Sequence, residues 1–369
     1  MKTTRNVFLL ATAVLGSTAL GQTTYKYYDL GQNFTPNNIS QSTGYIVGKF
    51  TTSTGDIRDA YCTFTCVGST ATVSAVNLVP LLAGQPHQDS GLPTSVNDSG
   101  YVTGVALPVN GPYGYEWNLV TQNTPVQLPG PSGTNQPMFA LALNNSNVIA
   151  GQVISAPMVT LWGALWLSGP GTLATAIADP FAFQGAFSCS FFQINNLGDC
   201  LANLSNSTTV ANFYNHGTWT GIAGATTVAA LNDNNQIAGS YPHPTNTAPL
   251  STYNPTACIW SSPSASPTPL DNATQWSSKA LALNNSQTVV GFLNALNTGP
   301  NQAFVWSSAT GMVNLNTAGV VFPALPTGVS LMSGTAIDNF GDIVGTSSVM
   351  VNHAPQTHAF LLVPSTGGA

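Results

Sequence analysis

Apolar and polar residues alternate with a period of two in short stretches, and clusters of Asn, Asp, Ser and Gly separate the stretches. That pattern predicts short β-strands joined by tight turns. One nine-residue phrase recurs and sets the organisation of the chain. Its clearest copies start at Leu143 (LNNSNVIAG), Leu231 (LNDNNQIAG), Leu283 (LNNSQTVVG) and Ile337 (IDNFGDIVG). Val96 and Ile194 begin two more, the latter ending on Ala202 where the others have Gly, and a looser seventh runs from Ile39 to Gly48. Repetition at this scale must be read first, because it divides the chain into copies of one small unit.

Each unit reads as four strands. An apolar strand such as 139–143 enters an Asn-rich turn whose residues tolerate positive φ and bond to their own backbone. A second strand follows with a glycine at its middle, at positions 48, 104, 151, 239, 291 and 345. Glycine weakens a strand, so its recurrence predicts close approach of neighbouring backbone or sheet. The third strand carries a small residue, an apolar residue and Trp, as in Gly163-Ala164-Leu165-Trp166, Ala257-Cys258-Ile259-Trp260 and Ala303-Phe304-Val305-Trp306. Alternation puts Ala and the next hydrophobe on opposite faces, with Trp on the Ala side, so both faces are buried as in sheets stacked in series. A Leu-containing phrase marks the fourth strand.

The phrase ends at 48, 104, 151, 202, 239, 291 and 345, at spacings of 56, 47, 51, 37, 52 and 54 residues. A period near fifty with four strands predicts an all-β fold, a seven-bladed β-propeller, over a twisted open array. The last unit stops after its third strand, 358–363, whereas Tyr25 to Gly31 reads as a fourth strand with no unit before it. The N-terminal strand is therefore expected to complete the last blade and close the ring, leaving no unpaired edge. The unit with Ala202 and the shortest spacing is the one expected to be irregular or short of a strand.

Residues 1–21 read as a signal peptide, with Lys2 and Arg5 before an apolar run and small residues at Ala19 and Gly21. Residues 22–369 then form one propeller domain, secreted or periplasmic, with no transmembrane segment after cleavage. The chain has 6 Lys and Arg against 12 Asp and Glu, which argues against nucleic acid as a partner. Charge of either sign is scarce, so the surface is expected to be one of amides and hydroxyls. Among five cysteines, Cys62 with Cys66 and Cys189 with Cys200 are candidate disulfides in an oxidising compartment, and Cys258 reads as a buried free thiol.

The units resemble the extracellular HAF repeat, through His358-Ala359-Phe360, the phrases 96–104 and 337–345, and the closing Asp29-Leu30-Gly31. The resemblance runs from about Tyr25 to Val363. It implies a secreted bacterial β-propeller-like protein and brings no catalytic residues with it.

Chemistry is sparse. Asp56, Arg58 and Asp59 form the densest charged cluster and read as a surface ion pair. His87 and Asp89 share a loop, and Glu116 takes a strand position held elsewhere by Leu165, Ile259 and Val305. Asp98, Asp233 and Asp338 read as turn acceptors interchangeable with Asn, with no metal or other cofactor implied. Loops other than the uniform turns, especially those after Gly48, Gly104 and Gly239, are the expected binding regions. Tyr113, Tyr115, Tyr241, Tyr253, Trp162 and Trp276 are candidate sugar-stacking aromatics. The reading is a secreted non-enzymatic module for carbohydrate or cell-surface glycan. The alternative is a structural or protein-interaction scaffold of the matrix or envelope, with an envelope protein or a second copy as partner. A glycan-active hydrolase comes third.

Overall fold

The computed structural model describes residues 23–81, 92–107, 112–121, 124–130, 138–155, 160–166, 175–177, 189–204, 211–242, 255–271, 276–295 and 299–365. Strand β1 (Thr24–Gln32) precedes the first blade, which holds β2 (Phe34–Ile39), β3 (Tyr45–Thr51), β4 (Ile57–Val67), β5 (Thr70–Val73) and β6 (Asn77–Leu78). Blade two is β7 (Leu92–Val96), β8 (Tyr101–Ala106), β9 (Tyr113–Asn118) and β10 (Val126–Gln127). Blade three is β11 (Met138–Leu143), β12 (Ile149–Ser155), β13 (Thr160–Trp166) and β14 (Thr175–Ile177). Blade four is β15 (Cys189–Ile194), β16 (Cys200–Leu204), β17 (Asn212–Asn215) and β18 (Thr218–Gly221). Blade five is β19 (Thr227–Leu231), β20 (Ile237–Pro242), β21 (Pro255–Trp260) and β22 (Thr268–Pro269). Blade six is β23 (Trp276–Leu283), β24 (Val289–Ala295), β25 (Gln302–Ser307) and β26 (Gly311–Asn314). Blade seven takes β27 (Val329–Ile337), β28 (Ile343–Val351) and β29 (Ala354–Ser365) from the end of the chain. Its fourth, outermost strand is β1.

The chain is thus an all-β seven-bladed propeller closed by its N-terminal strand. β1 runs antiparallel to β29, from Thr24 opposite Ser365 to Gln32 opposite His358, with a bulge at Asp29 to Gly31. The Asp29 carboxylate takes an ion pair from His358 Nδ1 at 2.9 Å and a hydrogen bond from the Gly31 N–H at 2.8 Å. Two motifs distant in sequence therefore meet at the closure. Gly31 has φ of +90°, a conformation that side chains with a Cβ resist.

Blade four has all four strands, contrary to the expected irregularity. Its short spacing is accommodated outside the inner hairpin, where β17 turns into β18 through His216 and Gly217, both at positive φ, which suits a two-residue hairpin.

Strand alternation places a hydrophobic layer between each pair of neighbouring blades. Trp166 shares the Ala164 side with Met138 and Leu128. In blades five and six the tryptophans face with Cys258 and Phe304 instead, one residue after the expected alanines. The recurring glycine also has a more local cause than the approach of a neighbouring sheet. In every blade but the fourth, a Cβ at Gly48, Gly104, Gly151, Gly239, Gly291 or Gly345 would fall inside van der Waals contact of a carbonyl on the innermost strand of the same blade. That strand carries a bulge beside the glycine, for example between Ala140 and Ala142.

Candidate functional site: the seam between the last blade and the first

The Asn-rich turns make a continuous belt around one face of the ring. The first turn residue caps its own turn: Asn144 Oδ1 accepts from the N–H groups of Ser146 (3.0 Å) and Val148 (2.9 Å). Its amide then reaches the next blade. Asn97 donates to the Asn144 carbonyl, Asn144 to Asn195, Asn195 to Asn232, Asn232 to Asn284 and Asn284 to Asp338, at 2.8–3.1 Å. The second turn residue adds a parallel row, its side-chain oxygen accepting the N–H of the preceding blade's counterpart, as Asn196 does from Asn145 at 2.8 Å. Gln41 accepts from the Asn196 amide at 2.9 Å, linking blades one and four. Asp98 and Asp233 occupy this second position, and neighbouring amides donate to both carboxylates. The sequence suggests acceptance inside their own turns; instead both accept from neighbouring blades, and of Asp98, Asp233 and Asp338 only Asp338 caps its own turn. Among the described residues no group of three or more His, Cys, Asp or Glu is placed to hold a metal.

The side-chain link of the belt changes between blades seven and one. Asp338 stands at the first position, where five blades have Asn, and Ser40 takes that place in blade one. Asp338 Oδ1 caps normally, accepting from Phe340 and Asp342 at 2.9 and 2.8 Å. Its second oxygen, where the other blades have an NH2 donor, is buried without a partner, and the residue is only 1% exposed. Burial, with Asp342 beside it, holds the Asp338 carboxyl well above the usual carboxylate range. Burial also raises Asp342. In blade five the same two positions are Asn232 and Gln236, and the Asn amide donates to the Gln oxygen at 2.8 Å. The acid pair can reproduce that bond only with a shared proton.

The same seam carries a feature that the described parts of the other blades lack. β4 runs past its blade and folds back as an extra hairpin with β5, while β6 supplies the ordinary outer strand. The hairpin crosses to β1, where the Ala71 N–H donates to the Tyr28 hydroxyl at 2.8 Å and Lys26 Nζ donates to Thr70 Oγ1 at 3.2 Å. A cavity of about 490 Å3 lies at this junction, lined by Phe64, Cys66, Phe340, Val363, Asp338 and Asp342 among others. A second, of about 260 Å3, lies towards blade six and shares Phe340 and Pro364 with the first. Phe340 between them is 68% exposed. Its counterparts at the third turn position are Ser99, Ser146, Leu197, Asn234 and Ser286.

The residues picked from sequence lie elsewhere. Tyr115 is buried at 1% exposure, so it cannot stack on a sugar; its hydroxyl donates to the Asp59 carboxylate. Tyr113 and Tyr241 are partly buried, and Trp162 is 37% exposed, on blades two, five and three respectively. Tyr253, His87, Asp89, residues 1–21 and the Trp276 side chain lie outside the described residues, as do most of the loop regions expected to bind. No disulfide joins Cys62 to Cys66 or Cys189 to Cys200. The first two lie four residues apart on one strand, a separation of about 13 Å. Cys189 is opposite Leu204 and Cys200 opposite Ile194, at the two ends of the hairpin. Cys258 is a buried free thiol.

The Asp56, Arg58 and Asp59 cluster is not an ion pair. Asp59 turns inward and Arg58 donates to the Val79 carbonyl at 3.2 Å. Burial lifts the Asp59 carboxyl to about 7, against the lowering effect of the Tyr115 hydroxyl and Arg58. Glu116 does sit where Leu165, Ile259 and Val305 sit, opposite Thr103, and both its oxygens are buried without partners. Burial raises it to about 7. Asp338 was legible only in part from sequence. As an acceptor it equals Asn; as a donor it does not, and the lack of an NH2 at one of six otherwise equivalent turns was the available signal.

No protein-family model matches this chain, and no curated protein matches it. Solved structures do. An acylaminoacyl peptidase complex is similar at 8% identity and a TM-score of 0.50, over 93% of this chain and 52% of that one. A prolyl endopeptidase is similar at 9% identity and a TM-score of 0.53, over 92% of this chain and 50% of that one. The chain spans about half the length of these structures, and at such identities the likeness concerns the propeller fold alone.

Proposed function

We propose that this propeller is a non-catalytic interaction module, a scaffold element that engages a protein partner at the seam of blades six, seven and one. The observation that carries the reading is Phe340, an exposed aromatic between two cavities on a face whose turns carry Ser or Asn at that position, Leu197 excepted. Four of its five counterparts are Ser or Asn, so the fold does not require an aromatic there. Large exposed apolar groups beside concave surface are typical anchors of protein recognition. The glycan reading is the weaker one, because its described aromatics are on three different blades. The proposal takes the chain to be an exported HAF-like protein of the matrix or envelope.

The test is a comparison of wild type with Phe340→Ser, which installs the residue of three sister turns. Crosslinking to envelope fractions and sedimentation velocity report partner capture and self-association. A specific partner, or a self-associated species, that disappears with Phe340→Ser supports the seam. Identical behaviour of the two proteins, both folded by circular dichroism, would remove the reading.

A further inference from the structure

We infer that the central channel of the ring is a binding site for a small uncharged polyol, closed on the turn side by Gln41 and contacted by the amide of Gln193. The site is separate from the seam and does not depend on the function proposed there. A cavity of about 170 Å3 is enclosed by inner-strand and turn residues of all seven blades, and so lies on the ring axis. Its turn-side end is crossed by one side chain, for a reason visible in the repeat. The blade-one phrase, Ile39 to Gly48, is one residue longer than the others. Ser42 takes the place in the belt that the second turn residue takes elsewhere, its N–H donating to Asp98 Oδ1 at 2.7 Å. The Gln41 carbonyl meanwhile accepts from the Asn339 N–H at 2.9 Å, where the other blades use a side-chain oxygen. The Gln41 side chain is thus spare to the belt. It reaches Asn196 of blade four, three places away in a ring of seven.

The chemistry of the wall selects the guest. Asn38, Gln41 and Gln193 line the cavity and are half-buried. Asn38 Oδ1 accepts from the Val96 N–H at 3.3 Å, and Gln41 Oε1 accepts from Asn196 at 2.9 Å. Both amides are fixed by these bonds, and their NH2 groups have no partner among the described residues. The Gln193 amide makes no hydrogen bond among those residues at all. Nor does the fold require it, since Ala142, Ala230, Ala282 and Ala336 hold the same register position beside the bulge. At that position in blades one and two, Asn38 and Ser95 bond to the next blade. Leu281 and Ala282 add apolar wall. Spare NH2 donors beside apolar surface suit acceptor oxygens on a short hydrocarbon frame. Among the described residues no acidic or basic side chain lines the cavity, so a cation would lack a counter-charge. An anion would be desolvated without a counter-ion, in a chain of formal net charge −6. At about 30 Å3 for each water-sized group, the cavity holds about six, the size of a three-carbon polyol and less than a sugar ring with its substituents.

The experiment is a saturation-transfer NMR titration of the whole protein at pH 7.5 with glycerol, 1-propanol, acetate, propylammonium and methyl glucoside. The proteins are wild type, Gln193→Ala and Gln41→Ala. Glycerol should bind wild type saturably at one site, at least tenfold more tightly than 1-propanol or either ion. Gln193→Ala installs the residue of four sister blades and should bind glycerol at least fivefold more weakly. Gln41→Ala repeats the test through the second amide should Gln193→Ala fail to fold. Methyl glucoside should neither bind nor displace glycerol, which supports a free polyol over the end of a glycan as the guest. No saturable glycerol binding, equal binding of 1-propanol, or tighter binding of the glucoside or an ion would overturn the inference. Unchanged affinity in both variants would do the same and leave the channel to water.

Discussion

Replacing Asp338 by Asn should make this protein more stable, although it removes a buried acid from the seam between blades seven and one. The substitution keeps the capping contacts, because both residues offer the Oδ1 that accepts from Phe340 and Asp342. It exchanges an unpartnered buried oxygen for an NH2 that can donate to the Asp342 carboxyl, as Asn232 donates to Gln236 at 2.8 Å. An unsatisfied buried polar group costs about 1–3 kcal/mol and a hydrogen bond to a charged group contributes about 1.5–3 kcal/mol. A gain of about 2 kcal/mol is therefore expected at pH 9.5, above the raised Asp338 value of about 8. With an unfolding entropy of about 2.1 cal/mol/K per residue, a propeller of this size should melt about 3 °C higher. The gain should shrink at pH 5, where a proton on the raised Asp338 carboxyl does the donor's work in the wild type. The assay is urea or thermal unfolding of both proteins at the two pH values. No gain at pH 9.5, or the same gain at pH 5, would refute the account of the altered link at Asp338.

Three further expectations follow from the interior. Glu116 and Asp59 have native pKa values of about 7 above unfolded values of 4.5 and 3.8, so the folded state holds protons that the unfolded state has lost. The stability these two groups contribute should fall as pH rises from about 4 to 7 and then level off, and Glu116→Leu, the residue at the sister position 165, should flatten part of that slope; its ceiling is about 3 kcal/mol. A slope unchanged in the variant would place the titration elsewhere. Gly345→Ala should cost about 2–4 kcal/mol in unfolding experiments, since its Cβ would meet the Ser333 carbonyl and the Phe360 ring; a cost below about 0.5 kcal/mol would deny that the bulge selects glycine. Ellman's reagent should modify Cys66 quickly in the folded protein and the four buried cysteines only on unfolding, and two fast thiols would contradict the packing.

The ring was readable because its causes are repeated. Most blades share a capping Asn, a glycine beside a bulge and a two-sided apolar third strand, so an ambiguous copy is corrected by the others. The closure was legible for the same reason: a fourth strand at one end and a missing one at the other are visible only against the repeat. The seam site was not legible because it depends on departures from the repeat. Asp338 reads as a conservative turn residue until the belt shows what its second atom must do. The Phe64 to Val73 hairpin reads as part of an ordinary blade, since its alternation is that of any strand. The aromatics misled in the opposite direction. Tyr115 looked surplus to the core pattern, yet it is buried against Asp59, a contact spanning 56 residues that local spacing does not reveal.

The closing strand also imposes an order on folding. As a ribosome or an export channel releases the chain from its N-terminal side, β1 emerges before the first six blades and its partner β29 after them. Every other blade can form its hairpins from segments close in sequence, but β1 must remain unpaired while six blades assemble beside it. During that interval its edge is open to strands of other molecules. The bulge at Asp29 to Gly31 interrupts the ladder at that end of β1 and makes it a poorer template for such pairing. The feature that closes the finished ring therefore also protects the unfinished one.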